Sequence, residues 1–277
     1  METAQWSHAG LNFEGLSLAG VRTSITLPQY SIAFDVAQGL PHAIGMNMFF
    51  ITHGHMDHAS GIPYIISQKA MNSHKTPVFV MNESMVKPMQ EIMRQWSLIE
   101  GHSYEFEIIT AKDGEDIPVK SDVFVRPFKT IHRIPSLGYS VYRKSRKLRS
   151  DLTGLTPDEI ANRRKDGENP TEEKTELLVS FTGDTQIEFL DRSPHVRHSK
   201  ILMLEATYLD DKKTVANAKE WGHTHLDEIL QRLPDIHSEK IVLIHSSARY
   251  PMDEARRILH KKLPAHEIDR VVLFPGR

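Results

Sequence analysis

An α/β layered sandwich, rich in strands with helices interspersed, is the fold class this sequence predicts. Two observations predict it. Short apolar runs recur along the 277 residues, each closed by polar or glycine-containing residues. Helical patterns fill the intervals between them. In chain order the strand candidates are Ser24–Leu27, Ile32–Val36, Met48–Ile51, Val78–Met81, Val123–Val125, Leu177–Phe181, Ile201–Leu204, Ile241–Ile244 and Val271–Phe274. After the fourth run, Met85, Met89, Ile92, Met93 and Trp96 recur at helical spacing and predict one buried helix face.

Further along, Thr156-Pro157-Asp158-Glu159 is a helix start, with Thr156 as N-cap, Pro157 at the first position and Glu159 closing a capping box. Gly167 should stop that helix. Thr224 is the candidate N-cap for a helix over Leu226–Leu233, and Pro251 lies near the start of another that runs to about Lys262. Residues 143–175 are polar and highly charged and interrupt the strand rhythm. They are expected to form an insertion within a single domain spanning 1–277.

The totals exclude several function classes. A hydrophobic share of 39% is enough for a substantial core, whereas a net charge of -2 and a pI near 6.8 give no global attraction to nucleic acid. An RNA partner would have to be held by local basic patches. Cysteine is absent, so there is no disulfide scaffold, thiol nucleophile or thiolate ligand. Any metal must be held by His, Asp and Glu, and sixteen histidines are at hand. Residues 1–24 lack the pattern of a signal peptide, and no window approaches the ~20 apolar residues of a membrane-spanning helix. A soluble cytoplasmic protein is expected.

The stretch Thr52-His53-Gly54-His55-Met56-Asp57-His58 packs three imidazoles and a carboxylate directly after an apolar run. Neutral imidazole and carboxylate are the ligands that a borderline-soft divalent cation such as zinc prefers. Burying four such groups without a metal would be costly. Other His, Asp and Glu residues fall at later strand ends: His132, Asp184, Glu205 and His245. Ligands of open α/β sheets gather outside the carboxyl ends of strands, so these groups could share one cleft. One tetrahedral site needs only three or four protein ligands. His53, His55, Asp57, His58, His132, Asp184 and His245 are therefore enough for two metals sharing one carboxylate, an arrangement that can clamp both oxygens of a phosphodiester displacement.

These residues resemble the metallo-β-lactamase-fold hydrolases, and within them ribonuclease Z, the endonuclease that removes 3′ trailers from precursor tRNA. The matching stations run from Phe13-Glu14-Gly15-Leu16-Ser17 to Val271. They include Ile32-Ala33-Phe34-Asp35, the 52–61 loop, His132 with Gly138-Tyr139, and Phe181-Thr182-Gly183-Asp184-Thr185. Glu205-Ala206-Thr207-Tyr208 and Gly222-His223-Thr224 favour ribonuclease Z over lactamases, glyoxalases or lactonases, and His245-Ser246-Ser247-Ala248-Arg249-Tyr250 follows.

The resemblance implies a four-layer αββα sandwich and two zinc ions per chain, with manganese or iron also acceptable. His53, His55, His132 and Asp184 would hold one ion. Asp57, His58, Asp184 and His245 would hold the other. It further implies a hydroxide activated between the metals, with Asp57 orienting that water or taking its proton. His223, paired with Glu205, would donate a proton to the departing 3′-oxygen; His225, two residues on, is the other candidate. A homodimer is expected, in which one subunit's arm helps to hold precursor tRNA for the other's site. Bacterial members carry an arm with a Gly-Pro-rich tip, whereas the region from Lys144 to Lys174 has no Gly-Pro pair and looks like the shorter insertion of the plant-like branch. Arg143, Lys144, Arg146, Lys147 and Arg149 in that region are candidate RNA contacts. The alternatives are a phosphodiesterase for small phosphodiesters or cyclic nucleotides, and a metal-stabilised binding protein without catalysis.

Overall fold

Each apolar run becomes a strand in the computed structural model, which describes residues 3–274. The first sheet contains β1 (Ala4–His8), β2 (Leu11–Ala19), β3 (Arg22–Leu27), β4 (Ile32–Phe34), β5 (Met48–Phe50), β6 (Val78–Met81) and β7 (Glu107–Thr110), side by side in chain order. The second contains β8 (Ile117–Pro118), β9 (Val123–Lys129), β10 (Leu137–Leu148), β11 (Thr171–Phe181), β12 (Ile201–Glu205) and β13 (Lys240–Ile244). The short β14 (Ser246–Ser247) then returns to the first sheet, parallel to β2, and β15 (Val271–Leu273) closes the second sheet beside β13. The helices are α1 (Pro41–Ile44), α2 (Met56–Ala59), α3 (Ile62–Met71), α4 (Glu83–Glu100), α5 (Pro157–Lys165), α6 (Phe189–Arg192), α7 (Val215–Glu220), α8 (Leu226–Arg232) and α9 (Met252–Lys262).

The runs are continuously apolar because the central strands are covered on both faces. Phe34, Phe50 and Val80 meet Tyr139, Val179, Phe181 and Met203 between the sheets, with Phe34 stacked on Phe181 at 4.8 Å. Their neighbours Ala33, Phe49 and Phe79 point outward to Ile62, Ile65 and Met93 of α3 and α4. On the far side, Leu202, Leu204 and Leu243 meet Leu226, Ile229 and Leu259 of α8 and α9. Helix, sheet, sheet and helix layers follow one another, so the fold is the expected αββα sandwich.

Several local expectations need correction. Met85, Met89 and Met93 are buried, but Ile92 and Trp96 are 44% and 43% exposed, so the helical stripe is narrower than its spacing predicts. The capping box of Thr156 with Glu159 is present. The N-cap of α8 is His225 with Glu228, not Thr224, whose hydroxyl instead donates to the carbonyl of Thr185 at 2.7 Å. Much of the charged region 143–175 continues the strands: β10 and β11 pair from Tyr139 with Phe181 out to Leu148 with Thr171, and only the tip beyond them is irregular and helical.

The apolar pattern missed β1, β2, β7, β8, β10 and β14, and for three of them the physical reason is plain. Gly15 in β2 lies where a Cβ would stand 2.1 Å from the Ser24 carbonyl oxygen, so the closest strand approach carries no apolar signal. β1 alternates half-buried and exposed residues at the sheet edge. In β10 the buried Ser140 bonds Ser180 at 2.8 Å and the outer half is held by charge.

Candidate metal centre

Both sheets deliver their strand ends to one place. The 52–58 loop leaves β5, His132 follows β9, Asp184 follows β11, Glu205 ends β12 and His245 lies between β13 and β14. Cross-links fix the two edges together. Tyr139 Oη donates to the Ile51 carbonyl at 2.8 Å, and Leu137 N–H donates to Thr52 at 3.0 Å. Gly183 has φ +58, and a Cβ there would sit 2.7 Å from Thr52, so only glycine lets Asp184 approach the loop this closely.

All seven predicted ligands converge. One set is His53, His55, His132 and Asp184, and a second is Asp57, His58 and His245; within each, one donor atom per residue lies within 4.8 Å of the others. Asp184 stands between them. Its Oδ1 is 3.3 Å from both His58 Nε2 and His245 Nε2, and its Oδ2 is 3.6 Å from His53 Nε2 and 4.0 Å from His132 Nε2. Asp57 Oδ2 is 3.5 Å from His58 Nε2 and from His245 Nε2, and accepts the Gly20 N–H at 2.9 Å.

The outer nitrogens of four imidazoles are engaged, which fixes their tautomers. His53 Nδ1 lies 3.0 Å from Thr52 Oγ1, which donates onward to Asp35. His58 Nδ1 meets Asp35 Oδ2 at 2.8 Å, and His132 Nδ1 meets the Gly222 carbonyl at 2.8 Å. His245 Nδ1 lies 3.1 Å from Thr207 Oγ1, which donates to Glu205 at 2.7 Å. Four Nε2 lone pairs and His55 Nδ1 are thereby turned inward. His53 Nε2 and His132 Nε2 lie 3.0 and 3.2 Å from His55 Nδ1, and His58 Nε2 lies 3.3 Å from His245 Nε2.

Acceptors facing acceptors need a cation between them. Asp184 Oδ1, fully buried, has no hydrogen-bond donor. The residues therefore fit divalent metals of the kind that His and carboxylate sets hold.

The electrostatics agree. Burial lowers the pKa of His53, His55 and His132, keeping them neutral and able to donate a lone pair. Burial alone would raise Asp184, yet His245, His58 and His53 hold it well below the usual carboxylate range. Burial likewise opposes charge on His58, but Asp184 and Asp35 lift its pKa well above the usual imidazole value. The proton so favoured stands where a cation would, and metal binding displaces it.

Beside the centre, His223 Nδ1 lies 3.0 Å from Glu205 Oε1 and 3.9 Å from Asp184 Oδ2. Burial opposes its charge, but Glu205 pushes its pKa up to about 9. Glu205 is fully buried and also accepts Thr185 N–H at 2.7 Å. His225 is elsewhere engaged: it is buried, its Nδ1 accepts the Asp227 N–H at 3.1 Å, and its Nε2 lies 3.1 Å from the Asp210 carbonyl.

Four groups that orient the ligands, Asp35, Thr52, Thr207 and the Gly222 carbonyl, carried no role in the sequence reading. Asp35, which orients both His58 and Thr52, sits just after β4 and could have been found by the same strand-end rule. The Gly222 carbonyl is backbone and leaves no side-chain signal.

The basic run lies apart from the centre, on the arm formed by β10 and β11. Arg143 pairs with Glu176 at 2.8 Å, Lys144 with Glu173 at 3.3 Å, and Arg149 with Asp151 and Glu168 at 2.7 and 3.0 Å. Arg146 and Lys147 stand opposite Glu173 and Glu172 in the ladder. Among the described residues no helix is long and apolar enough to cross a membrane.

Comparison with known proteins agrees with this geometry. Residues 37–246 match the β-lactamase superfamily domain. The chain is 32% identical over 247 residues to tRNase Z TRZ1 of Arabidopsis thaliana, covering 88% of each protein. It is 30% identical to the chloroplastic tRNase Z TRZ2 of the same plant, over 90% of this chain and 71% of that one. The crystal structure of the short form of human tRNase Z shares the fold, with a TM-score of 0.59 at 15% identity over 93% of each chain. With its ligand cluster and the Glu205–His223 pair in place, the chain is a metal-dependent hydrolase that belongs to the tRNase Z family of the β-lactamase superfamily.

Proposed function

We propose that this protein is a zinc-dependent endoribonuclease that hydrolyses a phosphodiester at the 3′ end of precursor tRNA. The observation that carries the reading is the split engagement of Asp184, one oxygen toward each histidine set, with the Glu205–His223 pair 3.9 Å away. The relatives named tRNase Z supply the substrate class.

His53, His55, His132 and Asp184 would hold one Zn²⁺, and Asp57, His58, Asp184 and His245 the other; manganese or iron would suit the same donors. Two such ions lower the pKa of a coordinated water and neutralise charge on the phosphoryl group. The chain's own residues do the rest. Asp57, held by Gly20 N–H, orients the attacking water or takes its proton. Glu205 fixes the His223 ring through Nδ1 and favours its protonated form, which leaves Nε2 to give a proton to the departing 3′-oxygen. With both ring nitrogens on backbone groups, His225 serves as a helix cap and is not the acid.

A homodimer is the proposed assembly, as the family resemblance implies; sedimentation at micromolar concentration tests it, and a wild-type monomer refutes it.

The test of function is cleavage of precursor tRNA with a 3′ trailer by the zinc-loaded protein, beside a His223→Ala variant and a bis-aryl phosphodiester. Cleavage just after the discriminator nucleotide, lost in the variant, is expected. Turnover of the ester with intact tRNA would favour a second reading, a phosphodiesterase for small phosphodiesters or cyclic nucleotides. One observation favours that reading: residues 143–176 carry nine basic and eight acidic side chains, close to neutral for an RNA grip.

A further inference from the structure

Next to the centre is an exposed pair with no evident structural duty. The guanidinium carbon of Arg133 lies 4.8 Å from the ring centroid of Trp221. Trp221 is 51% exposed and belongs to none of the three apolar cores. Arg133 is exposed and makes no ion pair among the described residues. An exposed indole is costly to leave in water, and a guanidinium on its face is attracted by the ring quadrupole.

The position of the pair is tied to the chemistry. Arg133 directly follows His132, and Trp221 is two residues before His223. Between these segments, the Gly222 carbonyl accepts from His132 Nδ1 at 2.8 Å. Gly222 has φ +76, and a Cβ there would stand 2.8 Å from His132 Nδ1 and 3.1 Å from Arg133 N. The two segments are therefore pressed side by side, and the contacts that place His132 and His223 also place Arg133 and Trp221. The imidazoles of His132 and His223 are themselves 5.2 Å apart.

We propose that Trp221 and Arg133 form a nucleobase subsite, on which the base of the nucleotide that keeps the departing 3′-oxygen stacks, with Arg133 supplying charge to its phosphate. The proposal rests on the RNA reading above. His223 sets the side, because the group that protonates the leaving oxygen must lie next to the nucleotide that keeps it. Stacking accepts any base, since every base has a π-face, and a guanidinium plane adds to it. The subsite would hold the unpaired end of the substrate while the metal ligands and His223 act.

The test compares a precursor tRNA with one that carries an abasic nucleotide just 5′ of the cut. With the zinc-loaded protein, Trp221→Ala should raise KM for the ordinary precursor about five- to hundredfold, the range of one base stack. Trp221→Phe should recover most of that loss. On the abasic precursor, Trp221→Ala and wild type should differ by less than about twofold. Arg133→Gln should flatten the salt dependence of kcat/KM by about 0.7 in the log–log slope, the value of one single-strand phosphate contact. No KM penalty on the ordinary precursor, or an equal penalty on both, overturns the subsite while leaving the RNA reading intact. A wild type that cleaves neither precursor but hydrolyses the bis-aryl ester overturns the RNA reading, and the subsite with it.

Discussion

The metal centre and the β10–β11 arm are both dense in charged and polar groups, yet they are built on opposite principles. On the arm, charges face one another across a ladder in water, and Arg143, Lys144 and Arg149 all have carboxylate partners. In the centre the groups are buried or half-buried, their outer atoms are satisfied by Asp35, Thr207 and Gly222, and their inner atoms face one another, with Asp184 Oδ1 left without a hydrogen-bond partner. Charge that is already paired is structure, and buried lone pairs aimed at one point are a binding site. The comparison also explains why a run of five basic residues in seven is a weaker functional signal than three histidines in six.

Altering single groups in each region should break or sharpen this contrast. The largest effect is expected from Asp184→Asn, which removes the charge shared by both ligand sets. Metal content should fall below two ions per chain by elemental analysis, and kcat/KM should drop by about a thousandfold or more, since metal stabilisation of the transition state is worth several kcal/mol. Full metal content in this variant would show that the sets are independent. Next, Glu205→Gln should leave metal content unchanged and lower kcat on precursor tRNA about a hundredfold, the scale of a lost general acid. Asp35→Asn touches no metal but unfixes His58 and Thr52; a ten- to hundredfold weaker zinc affinity is expected from competition with a chelator.

The arm should yield the smallest change. Hydrogen bonds from Lys200 and Arg143 hold Glu176 below the usual carboxylate range. A carboxylate depressed in the folded state contributes its stability in full above its unfolded pKa of about 4.3, and loses it as pH falls through the lowered folded value. Amide exchange around Tyr142 and Leu177 should therefore quicken only in acid below about pH 4, by a few tenths of a kcal/mol for such a surface pair, and Glu176→Gln should remove the dependence. A loss of several kcal/mol would mean that the arm is more than a surface ladder.

The site was more legible in the sequence than parts of the fold around it. Metal ligands must be His, Asp or Glu and must stand at strand ends, so their chemistry and spacing survive in one dimension. Asp35 stands at a strand end too, but it touches a ligand rather than a metal position, a difference that only the fold reveals. The Gly222 carbonyl could not be read, because a backbone acceptor has no letter of its own. The α/β layered class followed from runs such as Ile201–Leu204 that are buried on both faces, whereas the four-layer order came from the family resemblance. β10 did not, since Ser140 and the ion pairs of its outer half replace apolar pattern with hydrogen bonds and charge. Thr224 and His225 show the limit of capping rules: both can cap, and tertiary contacts with Thr185 and Asp210 decided between them.

The return of β14 to β2 has a consequence for time as well as shape. His245 N–H donates to Ser17 Oγ at 2.8 Å across a sequence separation of 228 residues, and Ser246–Ser247 pair with Leu18–Ala19. A ribosome adds roughly 5–20 residues per second, so β2 waits on the order of ten to fifty seconds for its partner. Throughout that interval Asp57 and His58 exist without their third ligand. The second set of metal-ligating groups is thus completed only after His245 has been made, and the growing chain cannot assemble the centre before then.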